Sequence, residues 1–216
     1  MKHTLLILTA LSSVTLAADW PTWRGPKRDD SSTEKNLLTE WPADGPALAW
    51  KTTGCGAGYS SVSVANGRVF TMGDGPDGSS VRAFEEKSGK PLWVSALIGK
   101  PGGNYEGPRC TPTVDGDAVF ALAQFGDFVC LDAATGKVHW DYELEDDTWS
   151  SPYVVDGKVY IGNEKGVMHI FEHSATKKPP KKVEMRGVIR VTPVAHNGVL
   201  YVVTENPCMM WAIKAK

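Results

Sequence analysis

Neither sign of charge dominates this chain: 23 Lys and Arg stand against 25 Asp and Glu, both spread along 216 residues. A nucleic-acid binder gathers its cations into a patch, so nucleic acid is excluded as a partner on charge. Beyond residue 17 there is no apolar run long enough to cross a bilayer, and helical periodicity is absent throughout. No glycine-rich loop opens a helix, because no helical period follows Gly73–Gly78, so a phosphate-cradling loop is not present. Ser60 and Ser61 come without an identifiable base, which leaves no hydrolase triad. Cysteine is scarce: Cys55, Cys110, Cys130 and Cys208 show neither a disulfide framework nor metal spacing. Cys110 precedes the inner strand of the blade that holds Cys130, and Cys55 and Cys208 both lie near the ring closure, which leaves disulfides of Cys110 with Cys130 and of Cys55 with Cys208 open. Cys130 lies in an apolar run, Phe128 to Leu131, and reads as a small buried hydrophobe. His169 and His173 would meet only on a helix, yet Val167 to Phe171 alternates as a strand. These two, with His139 and His196, are therefore expected to be solvated or strand-face histidines and not ligands.

What the chain does contain is repetition. Ser61-VSVANGRV-Phe70, Thr111-PTVDGDAV-Phe120, Ser151-PYVVDGKV-Tyr160 and Thr192-PVAHNGVL-Tyr201 share a hydroxyl start, a polar Gly-bearing turn and an aromatic end. Their aromatic ends fall 50, 40 and 41 residues apart. A period of that length, filled with short apolar runs and turns, points to the blades of an all-β propeller. Asn66-Gly67, Asp115-Gly116, Asp156-Gly157 and Asn197-Gly198 supply the positive-φ residues of a tight hairpin, so each copy opens as a hairpin.

A second frame follows the first: Phe84-EEKSGKPL-Trp93 and Leu131-DAATGKVH-Trp140 match in length and in a Ser/Thr-Gly-Lys turn. The third blade keeps only an outline, Phe171 to Pro180, and the fourth stops short of an outer strand. Gly45-PALA-Trp50 has the look of an outer strand with no blade before it. Since propellers close by lending a strand from one terminus to the other, Trp50 is expected to complete the blade that begins at Thr192. Upstream, Lys2 and His3, the apolar run Leu5 to Leu16 and small residues before Asp19 form the parts of a secretory signal. The expected organisation is a signal peptide over 1–18, an extended segment over 19–44 and a repeat domain over 45–216. Lys177, Lys178, Lys181 and Lys182 are expected in a solvated surface turn.

By these frames the chain resembles the PQQ-like, quinoprotein-type β-propeller repeat. Asp132, Ala134, Thr135, Gly136, Lys137 and Trp140 match its signature fully, and Ser88, Gly89, Lys90 and Trp93 nearly as well. Asp19 to Pro26 also looks like the opening of exported propellers of this type. The resemblance implies that Trp50, Trp93 and Trp140 dock between blades. It implies four recognisable blades where such proteins usually close with seven or eight, leaving a compact four-bladed ring, a homodimer sharing one eight-bladed ring, or a shortened product that folds poorly. It also implies two function classes. One is an exported, periplasmic or secreted, non-catalytic scaffold that binds a partner protein at the cell envelope. The other is a PQQ-dependent dehydrogenase of alcohols or sugars, using PQQ with calcium, or a degenerate relative that keeps the quinone. The adjacent-cysteine pair usual in such enzymes is missing, and Asp74, Asp77, Asn163, Glu164, Glu205 and Asn206 all fall in ordinary turns. The scaffold class is therefore expected, with no catalytic or metal residues and no cofactor.

One recurrent position has binding chemistry. Tyr59, Arg109, Trp149 and Arg190 each stand two residues before the inner strand of a blade. In a propeller that places two guanidinium groups and two aromatic rings around one mouth of the channel, a surface suited to an anionic or planar ligand or to a partner's loop.

Overall fold

Each of the four repeated frames folds as a hairpin, and each hairpin extends into a sheet. In the computed structural model, which describes residues 18–214, the first blade comprises β1 (Ser63–Ala65), β2 (Arg68–Asp74), β3 (Ser79–Glu85) and β4 (Pro91–Val94). The second comprises β5 (Thr113–Asp115), β6 (Ala118–Leu122), β7 (Asp127–Asp132) and β8 (Val138–Glu143). The third comprises β9 (Tyr153–Val155), β10 (Lys158–Gly162), β11 (Val167–Glu172) and β12 (Lys181–Glu184). The fourth has three strands, β13 (Val194–His196), β14 (Val199–Thr204) and β15 (Met209–Lys214). All pair antiparallel in chain order, and the described residues contain no helix. The expected signal peptide, 1–18, lies outside the described residues but for Ala18.

The turn chemistry explains the hairpins. Asn66-Gly67, Asp156-Gly157 and Asn197-Gly198 all hold positive φ at both central positions, the twist that a two-residue hairpin requires. In blade two the expected Asp115-Gly116 turn shifts by one residue. Asp115 pairs with Ala118, so Gly116 and Asp117 form the loop, with positive φ at Gly116 alone. Glycine in the first central position supports a mirror-type turn without an asparagine.

The hydroxyl that starts each frame ties one blade to the next. Ser61 N donates to Thr111 Oγ1 and Thr111 N to Ser151 Oγ, both at 3.2 Å, and Thr192 Oγ1 donates to Ser151 O at 3.4 Å. Outside this ring of hydrogen bonds the apolar residues of facing sheets form the core. Phe70, Phe120, Phe128, Leu131, Trp140 and Phe171 belong to one buried cluster spanning blades one to three. Met168, Met185, Ile189 and Val202 form a second, joining blade three to blade four.

Trp93 and Trp140 each lie on the next blade's turn. Trp93 lies against Gly136 of blade two, and the Trp140 indole N–H donates to Ser174 O of blade three at 2.7 Å. Glycine is required at 136, with φ 71°, because a side chain there would strike the Trp93 ring. The Trp93 N–H, however, is buried without an acceptor, unlike that of Trp140.

Trp50 requires a correction. It packs on Gly89 of blade one and donates to Glu86 O at 2.9 Å, as the outer tryptophan of a preceding blade would. Yet residues 45–50 form no strand, and the sheet that begins after Thr192 keeps three strands. The N-terminal segment therefore does not close the last blade. Neither core cluster joins blade four to blade one, and Val194, Val203, Met210 and Ile213 of blade four stand exposed. Lys181 and Lys182 also differ from expectation: they lie in β12 and not in a surface turn.

The segment before residue 45 is not idle. Trp20 forms a two-bond antiparallel bridge with Val64, at 2.7 and 2.8 Å, and Val114 N donates to Pro21 O at 2.8 Å. Arg28 donates to Val154 O and stacks on Tyr153 with 4.1 Å from guanidinium to ring centroid. Residues 20–28 thus strap the inner strands of three blades, occupying backbone groups that a bare inner edge would leave unpaired.

Candidate functional site

The residues two places before the inner strands converge. Tyr59, Arg109, Trp149 and Arg190 all line one cavity of about 700 Å³ at the axial end of the arc. The remaining wall comes from the inner-strand entries of all four blades and from the strap, which contributes Trp23, Arg24, Lys27 and Arg28. Sequence reasoning missed the strap residues. Their density of cations and aromatic rings was visible, but nothing in it showed that the segment crosses the ring.

Trp149 is the centre of the arrangement. Its ring centroid has the Arg109 guanidinium at 4.7 Å and that of Arg190 at 6.0 Å, and its N–H donates to Glu164 Oε1 at 2.6 Å. Glu164 in turn accepts from Arg190 Nε at 2.8 Å, while Arg190 Nη1 reaches Glu205 Oε2 at 2.5 Å. The Arg190 hydrogen bond, opposed by some desolvation and aided by Trp149, holds the Glu164 carboxyl below the usual carboxylate range. Arg109 donates to Gln124 Oε1 at 2.7 Å and to Tyr105 O at 3.2 Å, and Tyr105 meets Tyr59 edge-on at 6.5 Å between centroids. These contacts fix both guanidinium planes yet use only part of each five-donor fork.

Among the described residues, the wall carries five cationic side chains, Arg24, Lys27, Arg28, Arg109 and Arg190, and no Asp or Glu. Three carboxylates stand behind it, Asp30 on Arg24 and Glu164 and Glu205 on Arg190, so the excess charge is partly offset. Trp149 is 42% and Tyr59 61% exposed, which leaves ring area for stacking. The arrangement can therefore hold an anionic group by charge-assisted hydrogen bonds and a flat group by stacking.

The other oxygen-bearing turn residues do not gather. Asn163 is structural: it donates to Leu144 O at 3.0 Å and accepts from Val167 N at 2.9 Å. Asp74 accepts from Ser79 Oγ at 2.5 Å and from Gly102 N at 3.2 Å. Among the described residues, no three His, Cys, Asp or Glu side chains are grouped to hold a metal ion. His169 is buried at 1% exposure between Tyr142 and Phe171, so it faces a blade joint instead of water. Burial pushes its pKa down to about 4, with Lys182 acting in the same direction. All four cysteines are free; Cys110 and Cys130 are buried, with thiol pKa values pushed up to about 12, while Cys55 and Cys208 are exposed.

Comparison with known proteins gives the fold its context. Residues 77–178 match the family described as outer membrane protein assembly factor BamB. No curated protein matches the sequence. Among solved structures, BamB from Moraxella catarrhalis superimposes with a TM-score of 0.55 at 20% identity, over 71% of this chain and 46% of its own. The quinohemoprotein alcohol dehydrogenase from Comamonas testosteroni gives 0.61 at 17% identity, over 86% of this chain and 35% of its own. The computationally designed Ika4 protein gives 0.56 at 12% identity, over 78% of this chain and 99% of its own. The chain thus spans under half the length of both natural relatives, which supports a shared fold and leaves their activities with them. With its hairpin frames, its Thr-Gly-Lys turns and its tryptophans docked blade upon blade, the chain has the β-propeller fold, and its residues 77–178 match PQQ-like repeats.

Proposed function

We propose that this chain is an exported, non-catalytic propeller that serves as a binding scaffold at the cell envelope, taking an acidic segment of a partner protein into the cavity around Trp149. The observation that carries this reading is the composition of the cavity wall: five cations and four aromatic rings, with no carboxylate. A dehydrogenase needs a base for the hydroxyl proton, and calcium needs six or more oxygen ligands, mostly carboxylate and amide. The wall offers hydroxyl and backbone oxygens only, so it does not fit calcium-bound PQQ. An acidic loop fits better, because its carboxylates would meet the unused Arg109 and Arg190 donors and its flat groups the exposed faces of Trp149 and Tyr59.

The same reading includes a homodimer. Joints between blades one and two, two and three, and three and four are formed, whereas β15 lacks a fourth strand and residues 45–50 lack a sheet. Two copies would satisfy both ends and close one eight-bladed ring. Light scattering on the mature protein, under reducing conditions, tests this: a mass of two chains is expected, and a strictly monomeric, cooperatively melting species would refute it.

Tryptophan fluorescence tests the binding reading. A Glu-rich peptide containing one Phe should change Trp149 emission saturably, weaken with added salt, and lose at least tenfold in affinity in the Arg109→Ala/Arg190→Ala double variant. Calcium-dependent quenching by PQQ together with dye-linked alcohol oxidation would instead establish the dehydrogenase.

A further inference from the structure

The open joint carries a chemistry of its own. Where blades two and three end, the residue just before the third strand is a glycine, Gly126 or Gly166, whose carbonyl accepts from the chain that trails the same blade. Leu144 N reaches Gly126 O at 2.9 Å and Met185 N reaches Gly166 O at 2.7 Å. A Cβ at Gly166 would sit 2.6 Å from the carbonyl oxygens of Met185 and Gly187, and one at Gly126 would meet Asp146 O. At this position a side chain can only point into the trailing segment.

In blade four the corresponding residue, directly before β15, is Cys208. Its turn, 205–208, is one residue longer than 164–166 in blade three, so the backbones there need not approach at glycine distance.

The matching trailing segment is present at the other end of the chain. Leu144 and Met185 stand five residues before Trp149 and Arg190, and five residues before Tyr59 stands Gly54. Gly56 is thereby equivalent to Gly187 and Cys55 to Arg186. The structure bears out the equivalence. Val188 forms a two-bond bridge to Glu205 of blade four at 2.8 and 2.9 Å, and Ala57 forms the same bridge to Asp74 of blade one at 2.9 and 2.7 Å. Residues 54–57 therefore already lie on blade one as the end of a preceding blade, with Cys55 exposed and no preceding blade in place.

We infer that Cys208 of one copy and Cys55 of a second copy form an interchain disulfide that staples the joint between blade four and the second copy's blade one. The inference rests on the homodimer reading, and two-fold symmetry gives two such links per ring. The bond forms by exchange with a disulfide oxidant. The Cys208 thiolate attacks that disulfide and expels one thiolate. The second copy's Cys55 thiolate then attacks the Cys208 sulfur and expels the other. Two thiols are oxidised and one oxidant disulfide is reduced to two thiols, which take up the two protons released.

The test uses the full mature chain treated with oxidised glutathione and run on non-reducing denaturing gels, beside light scattering in reductant. A covalent dimer is expected for the wild type, none for Cys55→Ser or Cys208→Ser alone, and its return when the two variants are mixed, since each then supplies the other's missing half. A dimer in reductant that never becomes covalent would overturn the disulfide and leave the homodimer standing. A monomer under all conditions would overturn both. A covalent dimer in either single variant, or an oxidised monomer with Cys55 and Cys208 joined within one chain, would likewise overturn the inference.

Discussion

The buried imidazole of His169 makes stability depend on acid in a calculable way. Both ring nitrogens lack a hydrogen-bond partner, and the ring lies between Tyr142 of β8 and Phe171 of β11. In the folded chain it stays neutral down to about pH 4, while in the unfolded chain it titrates at its ordinary 6.5. Between those values the unfolded state binds a proton that the folded state does not, so stability falls as pH drops from 6.5 toward 4 and is unaffected above it. At 1.36 kcal/mol per pH unit the shift is worth about 3 kcal/mol at the acid end, an upper figure for a single histidine. Replacing His169 by Phe keeps a flat ring in the joint and removes the proton. Urea unfolding of both proteins at pH 7.5, 6, 5 and 4.5 is the assay. The wild type should lose roughly 2–3 kcal/mol more than His169→Phe over this range, with the two curves parallel above pH 7. Equal losses in both proteins would refute the neutral, buried placement of the ring.

The docking tryptophans should separate by their N–H groups. Trp140→Phe leaves Ser174 O unpaired and should cost about 1–3 kcal/mol beyond the lost area, whereas Trp93→Phe removes an N–H that has no acceptor and should cost less. Trp93→Ala should cost about 3–5 kcal/mol in thermal or chemical unfolding, as large core truncations do. Gly136→Ala meets both a φ of 71° and the Trp93 ring, while Gly157→Ala meets only its φ of 66° in open space. The melting temperature of Gly136→Ala should therefore fall further.

Much of the architecture was legible because the repeat is local. Asn-Gly and Asp-Gly turns between alternating apolar residues specify hairpins wherever they occur, and the blade-to-blade tryptophan follows from one Gly-Lys turn to the next. The convergence of Tyr59, Arg109, Trp149 and Arg190 on one cavity was legible for the same reason, each being marked by a constant offset from an inner strand. Closure was misread because it depends on where two distant ends meet, and no local pattern encodes that. Trp50 has the right side chain and the right neighbour, Gly89, but the strand partner it needs is not fixed by either. The strap residues Arg24, Lys27 and Arg28 were missed on similar grounds, since their partners lie in blades far along the chain. His169 alternates correctly in β11, but alternation says which face it takes and not that Tyr142 covers it.

The strap across the inner strands has a consequence for the order of assembly. Blade hairpins join residues a few positions apart, but Arg28 meets Val154 across 126 residues and Trp20 meets Val64 across 44. Contacts at such separations require the intervening chain to be ordered first, so the strap should settle after the blades it crosses. Arg24, Lys27 and Arg28 would then reach the cavity wall last. On that order a nascent chain with all its sheets formed would still lack part of the cavity wall, which is completed only when residues 20–28 come home.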